Sequence, residues 1–334
     1  MKAAALALVL FPLIGLAAPP PPGTIAFVRV TGDNTADTYR DVFVARADGT
    51  GKPRAVTDIG TVSSASWSPD RRWLAITQPG NGLNEAVSVV RSSGGKPRQI
   101  STGSGSAFSP SWSSDGRLVA YQQEAASAAS VWVSTTSGAK KRLAFGYGVA
   151  WHPSQPRTLA YVWTDGIYVA VVGEHSQRRL FVGDFYSVHW SPDGRRIVTD
   201  SFANPARRRS GDLYVYSLSS GKRTNVSHTG GSDRDPAWSP DGRRIAWSSG
   251  SHIWVVNADS SRKRRLTSTK DKYTADIQPT WSPDGRSIVF MRSIADSCRL
   301  YLVRIQGGPA RPLFPARAEP RGANGCDRDP VWFR

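Results

Sequence analysis

Cysteine is nearly missing from this chain: 334 residues hold two, Cys298 and Cys326. Two cysteines exclude a four-Cys zinc site and a disulfide-framework miniprotein. Past the N-terminus, no apolar run approaches the ~20 residues that a spanning helix needs. No stretch keeps a 3.6-residue apolar period long enough for a major helix. Acidic residues are scarce, with 26 Asp and Glu against 43 Lys and Arg, for a net charge of +17. That excess speaks to partners and not to fold. The five histidines, His152, His175, His189, His228 and His252, include no pair at metal-helix spacing, and H-E-x-x-H is absent.

What is present is turn-rich and aromatic: 31 Gly, 23 Pro, 12 Trp, 10 Tyr and 11 Phe. The length allows one large domain or two ordinary ones, and the aromatics can bury a large apolar area. At the start, Met1-Lys2 precedes an apolar run from Ala3 to Leu16, broken by Pro12 and Gly15. Gly15-Leu16-Ala17 puts small residues where a signal peptidase reads, and Pro19 to Pro22 follow as a stiff spacer. The pattern predicts a signal peptide over 1–17, a Pro-rich spacer over 18–23 and a folded domain over 24–334. A run of about 14 residues is short for a membrane anchor, and no Cys follows it for lipid attachment. Removal of 1–17 takes away one Lys and leaves a net charge of +16. A secreted or periplasmic protein with no membrane span is expected.

One unit recurs. W-S-P-D-G-R stands at Trp190, Trp238 and Trp281, with looser copies at Trp67, Trp112 and Trp151. Trp332 ends D-R-D-P-V-W, which repeats the D-R-D-P-A-W ending at Trp238. The mean interval is about 44 residues, the length of one four-stranded propeller blade. After each Trp come β-rich runs such as I-A-W at Ile245 and I-W-V-V at Ile253. A weaker run with basic residues follows, as in R-R-L at Arg178 and Arg264. Short β-branched and aromatic runs between turn signals are strands. S-P-D-G reads as a tight turn joining the first two strands of a unit. The seven Trp read as structural, packed between adjacent blades. Ile25 opens a run that matches a second strand, and the chain stops on a first strand at Trp332. Pairing the two closes a ring without open edges. The prediction is all-β: a single β-propeller of seven four-stranded blades, closed by the C-terminal strand on the N-terminal blade.

These W-S-P-D-G-R-x-I-[AV]-[FWY] units, with L-Y-V and R-x-L-T behind them, resemble the TolB-type propeller repeat over nearly all of the chain after residue 23. The same repeat occurs in periplasmic TolB, in propeller domains of prolyl-oligopeptidase-type peptidases and in oligogalacturonate lyases. The resemblance implies fold and leaves chemistry open. TolB itself carries an α/β domain ahead of a six-bladed propeller, which this chain lacks, so a Tol–Pal role is not expected. The peptidases add an α/β-hydrolase domain with a G-x-S-x-G elbow; G-S-G-S at Gly103 is out of phase, and peptidase activity is not expected.

In this repeat, the segment before each Trp strand and the loop between strands two and three share a face. Candidate binding residues there are Tyr147, Phe185, Tyr186, Asp233, Arg234, Asp235, Asp276, Gln278, Asp327, Arg328 and Asp329. Phe108, Asp33 to Arg40 and Arg207 to Arg209 lie nearby. Carboxylates, guanidiniums and aromatic rings together suit a polar ligand, a glycan or a protein loop. The competing reading is structural, with Asp bonding backbone N–H groups at the turn. A carboxylate ring also suits Ca²⁺, but no defined Ca²⁺ loop matches; no cofactor and no metal are expected. Cys298 and Cys326 fall on this face in neighbouring blades and are expected to pair in an oxidising compartment. His152, in the turn after Trp151, and His175 are expected at the surface. His189 and His228 are placed loosely for the His-rich metal site that the lyases carry, and no catalytic residue identifies itself.

The basic runs at Lys140 to Arg142, Arg207 to Arg209 and Arg262 to Arg265 read as a solvated rim. They favour anionic partners over nucleic acid. The expected protein is a monomeric, non-catalytic, extracytoplasmic binding or scaffold propeller that engages a protein or anionic glycan on one face. The alternative is a polysaccharide-active enzyme such as a uronate lyase.

Overall fold

The computed structural model describes residues 23–31, 39–80, 84–125, 128–202, 211–229, 232–269, 273–294, 297–314 and 326–332. The expected signal peptide, most of the spacer, the loop from Asp33 and the Arg207 to Arg209 run lie outside them. Every regular element among the described residues is a β-strand. No helix is long and apolar enough to cross a membrane.

The strands form meandering antiparallel sheets, each named here by its inner Trp. The Trp67 sheet orders Ser64–Trp67, Trp73–Pro79, Glu85–Arg91 and Arg98–Gln99. The Trp112 sheet orders Ser106–Trp112, Leu118–Ala125, Ala128–Thr135 and Lys140–Phe145. The Trp151 sheet orders Tyr147–Trp151, Thr158–Trp163, Gly166–Val171 and Gln177–Val182. The Trp190 sheet orders His189–Trp190, Arg196–Phe202, Gly211–Ser217 and Arg223–Asn225, and the Trp238 sheet Asp233–Trp238, Arg244–Ser249, His252–Asn257 and Arg264–Arg265.

The remaining eight strands form one sheet. One half is Thr274–Trp281, Ser287–Ile294, Ser297–Arg304 and Arg311–Pro312. In the other, Cys326–Trp332 pairs antiparallel with Thr24–Thr31, which pairs with Tyr39–Arg46 and then Arg54–Ala55. A single parallel pairing, Cys298 with Cys326, joins the halves. These two residues form a disulfide with Cα atoms 4.3 Å apart.

The S-P-D-G turns repeat one hydrogen-bond device. In the Trp238 unit, Ser239 Oγ donates to Asp241 Oδ1 at 2.6 Å, the Arg243 N–H donates to the same oxygen, and the Arg244 N–H donates to Ser239 Oγ. The set recurs around Ser68, Ser113, Ser191 and Ser282. Each side chain closes its own turn, as Ser and Asp do in local motifs. The Trp151 turn substitutes His152, whose Nδ1 accepts the N–H groups of Ser154 and Gln155. This corrects the surface placement expected for His152. Its ring is buried edge-on against Trp190 at 4.7 Å, and burial lowers its pKa. Gly194 makes this approach possible, because a Cβ there would sit 2.3 Å from the His152 ring.

The Trp rings join neighbouring sheets. Trp112, Trp151, Trp190, Trp238 and Trp281 each donate Nε1–H to the carbonyl just before the preceding unit's Trp, at 2.9–3.2 Å. Trp67 does the same to Val331, 264 residues away, at 3.2 Å. Fully burying such a ring is worth about 4–6 kcal/mol, and Trp238 and Trp281 are 1% exposed. Trp332 is buried too, but its Nε1 meets no acceptor among the described residues. Between sheets the core is aliphatic and aromatic, as where Val198 and Leu213 of one sheet pack on Trp247 and Val256 of the next.

Candidate functional site

The Trp-ending strands line a common central channel. Two overlapping cavities of about 790 and 720 Å³ touch Trp67, Trp112, Trp151, Trp190, Trp238, Pro279 and Trp332. The inner strands run toward the S-P-D-G turns, here the turn face. Their starts define the opposite, entry face.

Two spacings ahead of each Trp decide where side chains go. Five residues before it stand Val62, Ala107, Gly146, Phe185, Asp233, Asp276 and Asp327, all buried. Three residues before it stand Ser64, Ser109, Gly148, Ser187, Asp235, Gln278 and Asp329, all of which line the channel. Strand alternation alone does not produce this split. The strands expected to begin after the D-R-D segments start earlier and include them. Pro110, Pro236, Pro279 and Pro330 lack the N–H that pairing would use, so the ladder slips by a bulge at each. The residue before each of these prolines is left-handed, with φ near 50–55° at Ser109, Asp235, Gln278 and Asp329. For side chains other than glycine this conformation is costly and clusters at functional sites. The bulge aims those side chains into the channel.

The channel mouth is therefore lopsided. On one side the residues three before the Trp are Ser64, Ser109, Gly148 and Ser187; on the other they are Asp235, Gln278 and Asp329. The polar side is hydrogen-bonded as a chain. Ser248 Oγ donates to Asp235 Oδ2 at 3.1 Å and accepts the Gln278 N–H. Gln278 Nε2 donates to Asp329 Oδ1 at 2.5 Å, and the Asp329 N–H donates back to Gln278 Oε1. Asp200, which also lines the cavity, accepts the Ser187 hydroxyl at 2.6 Å. Burial pushes the Asp235 carboxyl above its ordinary range, with Asp200 adding to the rise; Ser248, Gln278 and Arg234 oppose it. Burial likewise raises Asp329, opposed by Arg328 and Gln278. The arrangement can accept hydrogen bonds from, and neutralise, a cationic or N–H-rich group at the mouth.

The other candidates fall elsewhere. Asp276 is wholly buried and takes a bidentate pair from Arg292 at 2.6 and 2.8 Å. Asp327 takes the same from Arg29 at 2.7 and 2.8 Å. Asp233 accepts the Thr229 hydroxyl and Trp247 Nε1–H in the core. Arg234 is exposed at the channel and donates to Ser232. Arg328 lies 3.6 Å from Asp329. Phe185 is buried; Tyr147 is half-buried beside it and donates to its carbonyl. Tyr186 is exposed. His189 lines the channel, while His228 is exposed and does not join it. Among the described residues, no three His, Cys, Asp or Glu side chains group to hold a metal. Asp200 and Ser248 were missed from sequence, because second strands carry no motif that flags them.

Around the mouth, large apolar side chains are exposed. Tyr39, Ile59, Phe145, Val182, Tyr186, Tyr273 and Ile294 all sit at strand ends or connections on the entry face. Among the described residues, the turn face exposes none.

A family model described as the TolB beta propeller domain matches residues 147–317, about half of the chain. No curated protein matches. Solved structures similar in fold include a putative TolB from Agrobacterium tumefaciens, at 22% identity and TM-score 0.53, covering 87% of this chain and 89% of that one. The propeller domain of the trilobed protease from Pyrococcus furiosus is 12% identical with TM-score 0.66, covering 90% and 97%. An oligogalacturonate lyase in complex with manganese is 11% identical with TM-score 0.64, covering 89% and 92%.

Proposed function

The chain belongs to the TolB beta propeller domain family, and from that premise we propose a closed, seven-bladed, non-catalytic binding propeller that engages a protein partner on its entry face. Closure is supported by the pairing of Cys326–Trp332 with Thr24–Thr31 and by the Trp67 bond to Val331. All seven Trp strands also share one channel. An extracytoplasmic setting is supported by the signal-like residues 1–17 and by the Cys298–Cys326 disulfide.

The observation that carries the binding reading is one-sidedness. Exposed large apolar side chains gather on the entry face, around a channel mouth with a bonded carboxylate and amide chain. Apolar side chains around a few fixed polar groups are what a protein interface presents. A partner loop would seat apolar residues among Tyr186, Tyr273 and Ile294 and direct a basic or N–H-rich residue at Asp235 and Asp329.

The test is capture of a partner from envelope extract on immobilised protein. One defined protein should survive high salt and be lost from Tyr186→Ser/Tyr273→Ser and from Asp235→Asn/Asp329→Asn. Arg243→Ser on the opposite face should retain it. Incubation of the pure protein with polyuronate should leave the ultraviolet absorbance flat; unsaturated, absorbing products would replace the binding reading with the lyase one.

A further inference from the structure

We propose that the turn face is a docking surface for an anionic phospholipid bilayer. Five residues beyond Trp67, Trp112, Trp190, Trp238 and Trp281 stands an arginine each time: Arg72, Arg117, Arg195, Arg243 and Arg286. All five are exposed, and the Arg117 side chain is 86% so. Each occupies the same place in the same turn. The indole-to-carbonyl bonds hold the Trp ends of neighbouring strands level. The guanidiniums therefore lie at one height around the far mouth of the channel.

The turns between third and fourth strands share this end and add further cations. Counted with the strand residue at each end of these turns, Lys and Arg outnumber Asp and Glu by 23 to 8. In the whole chain the ratio is 43 to 26. Among the described residues, the same count at the entry-face connections gives Asp58, Glu85, Asp165, Asp184 and Asp233 against Arg265. The turn-face carboxylates are engaged within their own turns: Asp115, Asp193, Asp241 and Asp284 each accept a serine hydroxyl and a main-chain N–H. The arginines beside them are exposed, and Arg117 Nε lies 3.9 Å from Asp115.

A level ring of cations on a disc matches a flat sheet of headgroup charge. A linear polyanion would call for a cationic track or groove, and these residues are spread around a rim. With no large apolar side chain exposed there among the described residues, docking would be electrostatic without insertion. Each cation near an anionic bilayer contributes on the order of 1 kcal/mol, and salt screens it within a Debye length of about 10 Å at 0.1 M. Docked this way, the entry face points away from the bilayer. The inference does not depend on the identity of any entry-face partner.

The experiment is co-sedimentation of the purified protein with vesicles of phosphatidylglycerol and phosphatidylcholine, and with pure phosphatidylcholine vesicles. Binding is expected to the anionic vesicles alone and to fall steeply between 50 and 300 mM salt. Arg117→Ser/Arg195→Ser/Arg243→Ser/Arg286→Ser should weaken partition by about 100-fold or more. Tyr186→Ser/Tyr273→Ser should leave it unchanged. Should the quadruple variant fail to fold, judged by its thermal transition, the pairwise variants Arg117→Ser/Arg195→Ser and Arg243→Ser/Arg286→Ser should each lose at least about tenfold. Equal partition to both vesicle types, no partition at low salt, or loss in the Tyr variants alone would overturn the inference. So would retention on soluble polygalacturonate or polyphosphate with no sedimentation on vesicles, which would make the turn face a polyanion site.

Discussion

At the scale of single residues, the carboxylates divide into two kinds with opposite pH behaviour. Asp284 is lowered by its Ser282 and Arg286 N–H bonds. At Asp115, Asp193 and Asp241 partial burial works upward, but the serine, main-chain and arginine interactions outweigh it and the net shift is downward. A carboxyl lowered in the folded state adds stability above its unfolded pKa of about 3.9 and loses it as pH falls through the folded value. Asp235 and Asp329 are raised by burial, so their ionisation removes stability as pH climbs from about 4 through the folded pKa. Urea midpoints measured from pH 2.5 to 7 should therefore show two separable effects. Ser239→Ala/Ser282→Ala should flatten the acid limb below about pH 4. Asp235→Asn/Asp329→Asn should raise stability above it and leave the acid limb alone. Parallel curves for wild type and both variants would refute this division. It also marks where sequence reading stops. In D-R-D-P-A-W, Asp233 and Asp235 look alike, and separating the core residue from the channel residue requires knowing that Pro236 slips the ladder between them.

At the scale of strands and turns, most of the architecture is legible in advance, because the repeat carries it redundantly. The Trp spacing, the Ser-Asp turn and the basic fourth strand recur in unit after unit, and each local choice agrees with the others. His152 misleads because it replaces the turn serine, taking over its role from a buried position, where isolated turn residues are usually exposed. The second arginine of the R-R pairs hides another role. Arg196 stacks over Trp238 and bonds the Gly242 carbonyl, and Arg244 does the same for Trp281 and Gly285. The Trp rings themselves are not equivalent. Trp281 donates to Ala237 at 2.9 Å, while Trp332 has no acceptor among the described residues. Trp→Phe removes ring area at both positions, but at Trp281 it also strips a donor from a carbonyl, which costs about 1 kcal/mol more. Chemical denaturation should place Trp281→Phe below Trp332→Phe by about that margin; equal losses would mean that the Trp332 indole is bonded in solution.

At the scale of the whole molecule, this difference locates a seam. The sheets that meet without an indole bond are the Trp281 half and the half built from Cys326–Trp332 with Thr24–Thr31. They are held on the entry side by the Cys298–Cys326 disulfide and by the reciprocal Gln278–Asp329 hydrogen bonds. Because Cys326–Trp332 also carries the N-terminal strands, parting at this junction would free the strand that pairs both chain ends. A crosslink spanning 28 residues restricts the unfolded chain by roughly 3–4 kcal/mol in the chain-entropy view. Here it also covers the junction where, among the described residues, no indole-to-carbonyl bond forms. Cys298→Ser/Cys326→Ser should therefore melt about 5–10 °C below wild type. Hydrogen exchange should quicken first in Thr24–Thr31 and Cys326–Trp332, while the Trp112 and Trp151 sheets stay protected. Adding Asp329→Ala to that variant should widen the same opening and weaken entry-face binding, since Asp329 lies at both the seam and the channel mouth. Uniform exchange across all sheets would mean that the sheets open as one unit, with no weakest junction.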